Sequence, residues 1–309
     1  MPVKLSTHIP DQAVALHLLA DHRDIVLGRD PACDIPLRHA SVSRQHARLS
    51  LNEGGHWQLL DLNSKNGTRV DGQRVSQQPL SHGRWFALGD VYCEFEIIDE
   101  SARQALESRA ADRREASAAW TRRLHADTEL QQMLADLLNG MVDVAECQRG
   151  FLLTLDRDRQ MRVAACYGLN PADLAAATFQ GSRSAIERVI AERRAIYLCD
   201  RRDRLWLADR PSVIAQGISA LACLPLVHHG ELLGLAYADT TDDAHVFTEL
   251  DAELLTAMVG HAASVLAATR MAAQLAQLSA CLAVSPEGSS QLGRAPRWTR
   301  LGADAESPR

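Results

Sequence analysis

Paired cysteines are the first thing missing from this chain of 309 residues. Its seven cysteines, Cys33, Cys93, Cys147, Cys166, Cys199, Cys223 and Cys281, are scattered, odd in number and never arranged as C-x-x-C. That spacing argues against a thiolate zinc site and against a disulfide framework, and reduced thiols in the cytoplasm are expected. No run of 18 apolar residues occurs, so a membrane-spanning helix is not expected. The opening stretch MPVKLSTHIPDQAVALHLLADHRD has no unbroken apolar core followed by a small-residue cleavage site, so no signal peptide is expected. Excess positive charge is missing too. The formal net charge of -6 offers no general attraction to nucleic acid or to an anionic membrane. Neither a G-x-S-x-G nucleophile elbow nor a G-x-x-x-x-G-K-[ST] phosphate loop is present.

What is there describes a globular chain with proper cores, 46% hydrophobic and 23% charged, and long enough for two domains. Residues 12–99 read as short strands (AVALHLLA, DIVLGR, HARLSL, HWQLLDL, GTRV, VYCEFEII) punctuated by NEGG, NSKNG, DGQR and LGD. This is the pattern of an all-β sandwich. From Ser101 the composition turns to Ala, Arg and Glu without Gly or Pro, which predicts a helical connector, polar nearly all round. Leu130, Met133, Leu134, Leu137, Leu138, Met141 and Val142 then mark one helix face. Beyond it, RGFLLTLD and QMRVAACYG form a predicted strand pair, SAIERVIAERR a helix and AIYLCD a strand. ISALACLPLVHHGELLGLAYADT reads as a hairpin turning at His229-Gly230, followed by a long amphipathic helix. Such a block predicts an α+β domain, an antiparallel sheet with helices on one side. The tail after Ala280 is expected to be disordered.

Three polar clusters stand at strand ends: Gly28-Arg29, Ser43-Arg44 with His46, and Lys65-Asn66-Gly67-Thr68. A serine three residues from a histidine, with Asp61 downstream, has the ingredients of a hydrolase. It has equally the ingredients of an anion-binding loop. Against the hydrolase, Ser43 stands beside cations with no base placed to take its proton. Loops at one end of a sandwich converge in space, so Arg29, Arg44 and Lys65 share one surface in this reading. Residues 1–100 carry 10 basic against 13 acidic side chains. Local positive charge on an acidic domain suits a small specific anion, and serine hydroxyl, arginine fork and lysine ammonium all suit phosphate.

The string GRD…SVSRQHARL…WQLLDLNSKNGTRVDGQRV…LSHGRWFALGD resembles a forkhead-associated (FHA) domain over residues 12–99. That resemblance implies an eleven-stranded sandwich that binds phosphothreonine peptides. By position, Arg29 would contact the peptide and its phosphate. Ser43 would hydrogen-bond the phosphate oxygens, joined by Arg44 and Lys65, and Asn66 would clamp the peptide main chain. His46 would brace the Ser43 loop from behind, with Gly28, Gly67 and Thr68 supporting the site. Lys65 stands where many members have threonine or serine, which keeps phosphate affinity and alters selectivity. Residues 130–270 are similar to a GAF sensory domain, through GFLLTLDRDRQMRVAACYG, SAIERVIAERRAIYLCD and the hairpin with its following helix. Such domains hold a small molecule over one sheet face or are only structural, and their flanking helices often pair into dimers. Phe247 and Asp251 keep the spacing of the cyclic-nucleotide subset, but its preceding Asn-Lys pair is absent. An unknown small-molecule ligand and a purely structural domain both stay open, no cofactor is assigned, and no metal is expected. The loop at 200–217, with Trp206, is read as a pocket cover or as packing.

The expected organisation is a sandwich over 1–100, a helical linker over 101–129, the GAF-like domain over 130–270, and a helix end and tail over 271–309. The expected function is a cytoplasmic signalling adaptor, not an enzyme. It would bind a threonine-phosphorylated protein, a Ser/Thr kinase or its substrate, and form a homodimer through the GAF-flanking helices, without nucleic acid or membrane. The alternative is the regulatory half of a transcription-activator or nucleotide-cyclase system. FHA followed by GAF is similar to the front of bacterial regulators of that kind, whose output would here be supplied in trans.

Overall fold

Alternation of buried and open side chains builds the first domain. In β11 (Val91–Ile97), Val91, Cys93 and Phe95 point inward while their neighbours face out. The same period runs through β5 (Ala47–Leu51) and β6 (Trp57–Asp61). The computed structural model describes residues 2–19, 24–124, 129–156, 158, 160–169, 182–199, 217–242 and 245–283. Two sheets make the sandwich. One places β2 (Ala15–Leu19), β1 (Val3–His8), β11, β10 (Arg84–Leu88), β7 (Thr68–Val70) and β8 (Gln73–Val75) side by side in that order. The other runs β4 (Ile35–Pro36), β3 (Ile25–Gly28), β5, β6 and β9 (Gln77–Pro79). Leu5, Leu27, Leu49, Leu59, Phe86 and Phe95 interdigitate between them, and Trp57 meets Phe95 edge-on with ring centroids 5.8 Å apart.

β1 lies outside the stretch read as strands from the sequence. VKLSTH has little β-branched character, and its pairing with β11 makes the strand, with Lys4 opposite Glu96 as a cross-strand ion pair.

The connector helix α1 (Glu100–Thr121) starts on an Asp99 cap, whose side chain accepts the Ala102 N–H at 2.7 Å. Its surface is polar, yet it is not a free strut. Arg113 donates to the Val144 carbonyl, through Nη2 at 2.7 Å and Nε at 3.2 Å, and pairs with the fully buried carboxylate of Asp251. Trp120 Nε1 donates to Asp143 at 2.8 Å. Both contacts tie α1 to α2 (Leu130–Val144), whose Met133, Leu134, Leu137, Leu138 and Met141 are buried.

The second domain has one antiparallel sheet, ordered β13 (Met161–Tyr167), β12 (Arg149–Leu155), β16 (Glu231–Thr240), β15 (Ala220–His228) and β14 (Ile196–Cys199). β15 and β16 turn at His229 and Gly230, with φ of 47° and 80°, both left-handed as a two-residue hairpin turn requires. Helices cover both faces rather than one. Ala222, Leu224 and Ala236 pack with α2 and with α4 (Glu249–Ala283), while Leu221, Cys223, Leu235 and Tyr237 pack with α3 (Arg183–Glu192). Two covered faces explain why these strands read as continuous apolar runs.

α4 is long and apolar enough, by length and composition alone, to cross a membrane, and 44% of its most apolar window is buried within the protein. Leu255, Met258, Val259, Ala262 and Leu266 belong to the core of the second domain.

Residues 1–268 form one compact unit and the chain from 269 a second. Within the first unit, the turn between β1 and β2 is stitched into the second domain. Val14 N–H donates to the Phe247 carbonyl at 2.8 Å, and the Glu249 N–H donates to the Val14 carbonyl at 2.9 Å, in the first turn of α4. Val14 is 2% exposed and packs in the second domain's core, and Asp11 pairs with Arg188 at 2.7 Å. Among the described residues Cys33, Cys93, Cys147, Cys166 and Cys223 form no disulfide, and no cluster of metal-binding side chains occurs. Trp206, the loop around it and the tail beyond 283 lie outside the described residues.

Candidate functional site

Three loops at one end of the sandwich are wired to each other chiefly through main chain. The loop after β3 meets the loop before β5: the Arg29 N–H donates to the Ser43 carbonyl at 2.9 Å, and Asp30 N–H to the Arg44 carbonyl at 3.0 Å. Gly28 permits this approach, because a Cβ there would stand 2.1 Å from the Arg44 carbonyl oxygen. The loop after β6 joins them. Lys65 N–H donates to Ser43 Oγ at 3.0 Å, and Asn66 Nδ2 donates to the Ser41 carbonyl at 2.7 Å. Arg29, Ser43, Arg44, Lys65 and Asn66 thus come together. Among the described residues, no protein group holds the side-chain cations of Arg29, Arg44 or Lys65, all of which are exposed.

His46 sits behind this surface, completely buried. Its Nδ1 accepts the Ser43 N–H at 3.1 Å, which leaves Nε2 to carry the proton and face the Gly67 carbonyl at 3.3 Å. Burial pushes its pKa below the ordinary imidazole value, outweighing the Gly67 carbonyl and the Asp61 charge, so the ring is neutral. One imidazole therefore joins the Ser43 loop to the Gly67 loop. Its Nδ1 is occupied by main chain, so it is not a base for the Ser43 hydroxyl, and it lies 4.0 Å from Asp61. The hydrolase arrangement is absent.

Asp61 organises the third loop, a role its sequence position did not suggest. It accepts the Ser64 hydroxyl at 2.6 Å, the Ser64 N–H at 3.0 Å and the Thr68 hydroxyl at 2.7 Å. Burial opposes its ionisation, but these donors win and hold its pKa below the usual carboxylate value. Thr68 is fully buried and Gly67 takes a left-handed φ of 78°, so both shape the turn that presents Lys65 and Asn66. Ser64 three residues after an Asp was the available signal, an Asx-type turn.

On the second domain, Phe151 and Tyr237 stack with centroids 4.6 Å apart, and the Tyr237 hydroxyl accepts the buried Ser182 N–H at 3.2 Å. Cys223 is buried there, its thiol pushed up by desolvation. Phe247 is core, and Asp251 bonds the Thr248 N–H at 2.7 Å to cap α4. His228 and His229 meet edge-on at the hairpin end of β15, with ring centroids 4.3 Å apart.

An FHA-domain family model matches residues 25–89, and a GAF-domain family model matches residues 127–267. The chain carries an FHA domain followed by a GAF domain. Serine/threonine-protein kinase RAD53 of Saccharomyces cerevisiae is 37% identical over 95 residues, 28% of this chain and 11% of the kinase. Glycogen accumulation regulator GarA of Mycolicibacterium smegmatis is 39% identical over 71 residues, 23% of this chain and 44% of GarA. The chain thus spans about a tenth of the first relative and under half of the second. The FHA domain of the CT664 protein from Chlamydia trachomatis is 29% identical, matching 32% of this chain and all of that one, with a TM-score of 0.30.

Proposed function

We propose that this protein is a cytoplasmic signalling adaptor whose FHA domain docks threonine-phosphorylated partner proteins, a Ser/Thr kinase or its substrate. The observation that carries the reading is the set of three exposed cations, Arg29, Arg44 and Lys65, without a side-chain partner among the described residues, on loops bonded to one another around Ser43. A phosphate ester brings a charge of about -1.5 to -2 and three acceptor oxygens. Two arginine forks, one ammonium and one hydroxyl meet it with preset donors, and a threonine hydroxyl or a single carboxylate matches fewer of them. Asn66 adds contact with the peptide main chain. Screening a phosphothreonine peptide library tests this. Wild type is expected to retain a defined peptide set, and Arg44→Ala and Ser43→Ala to lose it; equal retention by all three proteins refutes the site.

For the GAF domain the reading is homodimerisation, favoured by one observation. Met271, Leu275 and Leu278 in the second half of α4 are 58%, 67% and 61% exposed and spaced by four and three residues, a coiled-coil seam. Light scattering should report a dimer for wild type and a monomer for the triple serine variant. Small-molecule sensing by the same domain is read out by native mass spectrometry of the purified chain, as retained non-protein mass.

A further inference from the structure

Ser41 stands two residues before Ser43 and is not among the phosphate donors, yet each of its polar atoms is committed. Its carbonyl accepts Asn66 Nδ2 at 2.7 Å. Its hydroxyl oxygen accepts the Asp90 N–H at 2.8 Å and lies 2.7 Å from His39 Nδ1, which also accepts the Ser41 N–H at 3.3 Å. The hydroxyl proton therefore points to His39. The turn between β10 and β11 is pressed onto this residue: a Cβ on Gly89 would stand 2.6 Å from both Ser41 oxygens. One serine thus joins its own loop, the Asn66 loop and the β10–β11 turn.

The consequence falls on Asn66. A primary amide has two N–H donors and one acceptor oxygen. With one donor held by Ser41, the remaining N–H and Oδ1 of the exposed Asn66 have no protein partner among the described residues. Those two groups complement the C=O and N–H of a peptide main chain. The direction of the Ser41 carbonyl depends on its backbone, and the two hydroxyl bonds hold that backbone in place. We propose that Ser41 is the positioning residue of the main-chain clamp: it aims the Asn66 amide at the bound peptide and takes no part in holding the phosphate. This rests on the phosphopeptide reading above.

The two parts of the ligand can be separated experimentally. The full chain is titrated with a library-selected phosphothreonine peptide by calorimetry, and with free phosphothreonine by NMR. Ser41→Ala is expected to weaken the peptide about tenfold, the loss of roughly one charge-neutral hydrogen-bonding arrangement, and to leave the affinity for free phosphothreonine unchanged. Ser41→Thr, which keeps the hydroxyl, should restore peptide affinity. In an Asn66→Ala background, Ser41→Ala should add no further loss. Ser41→Cys serves as the near-isosteric variant if alanine disturbs the fold. Equal weakening of both ligands, or none, overturns the positioning role. Failure of the phosphopeptide reading looks different: wild type binds neither ligand, or Arg44→Ala binds both as wild type does.

Discussion

At the loop end of the sandwich, Ser43, His46 and Asn66 bond across loops, Asp61 braces its own, and Arg29, Arg44 and Lys65 stand open to solvent. On the GAF sheet, β15 and β16 bury apolar side chains on both faces, and Phe151 stacks on Tyr237. The first arrangement holds its cations on exposed loops, where they contribute little to stability. The second stabilises the protein whether or not anything binds. Under the proposed function, binding and folding lie on different side chains, and variants should separate them.

The largest effect is expected in the sheet. Phe151→Ala removes a fully buried ring and should destabilise the chain by about 3–5 kcal/mol, read from denaturant unfolding. Phosphopeptide affinity of the folded fraction should stay as in wild type. The reverse pattern belongs to Arg44→Ala: about 1.5–3 kcal/mol of binding, roughly 10–150-fold, lost in calorimetry with the unfolding midpoint unmoved. A variant that moved both quantities together would erase the distinction.

The smallest effect sharpens the comparison through pH. His46 is neutral and below its ordinary pKa of 6.5 in the fold, so the unfolded chain takes up its proton first as pH falls. Its contribution to stability is present above pH 6.5 and is lost as the pH drops below that value towards the folded-state pKa. His17 and His245, also lowered by burial, act in the same sense. His46→Gln should be less stable at neutral pH and show a shallower loss on acidification, and an unchanged slope would remove His46 from the account.

Local signals made much of the fold legible. Gly and Asn turns, period-two strands and the apolar face of α2 are properties of neighbouring residues, and the hairpin turn at His229-Gly230 is one of them. The polar clusters were legible because they set charged and hydroxyl types at strand ends, and the structure brings all three together. What the sequence could not show depends on contacts between distant residues. β1 is a strand because β11 pairs with it. Val14 looks like any valine, yet its two main-chain bonds join the sandwich to the segment entering α4. The second face of the GAF sheet is covered because α3 folds back onto it, which continuous apolar runs in β15 and β16 hinted at without naming the cover.

One titration bears most directly on the central claim. The full chain is titrated calorimetrically with one peptide in three forms, carrying phosphothreonine, threonine or glutamate at the same position. Saturable binding of the phosphothreonine form, with the other two at least tenfold weaker, is the predicted result. Equal affinity for all three forms would contradict it, because the exposed Arg29, Arg44 and Lys65 around Ser43 would then not be reading a phosphate.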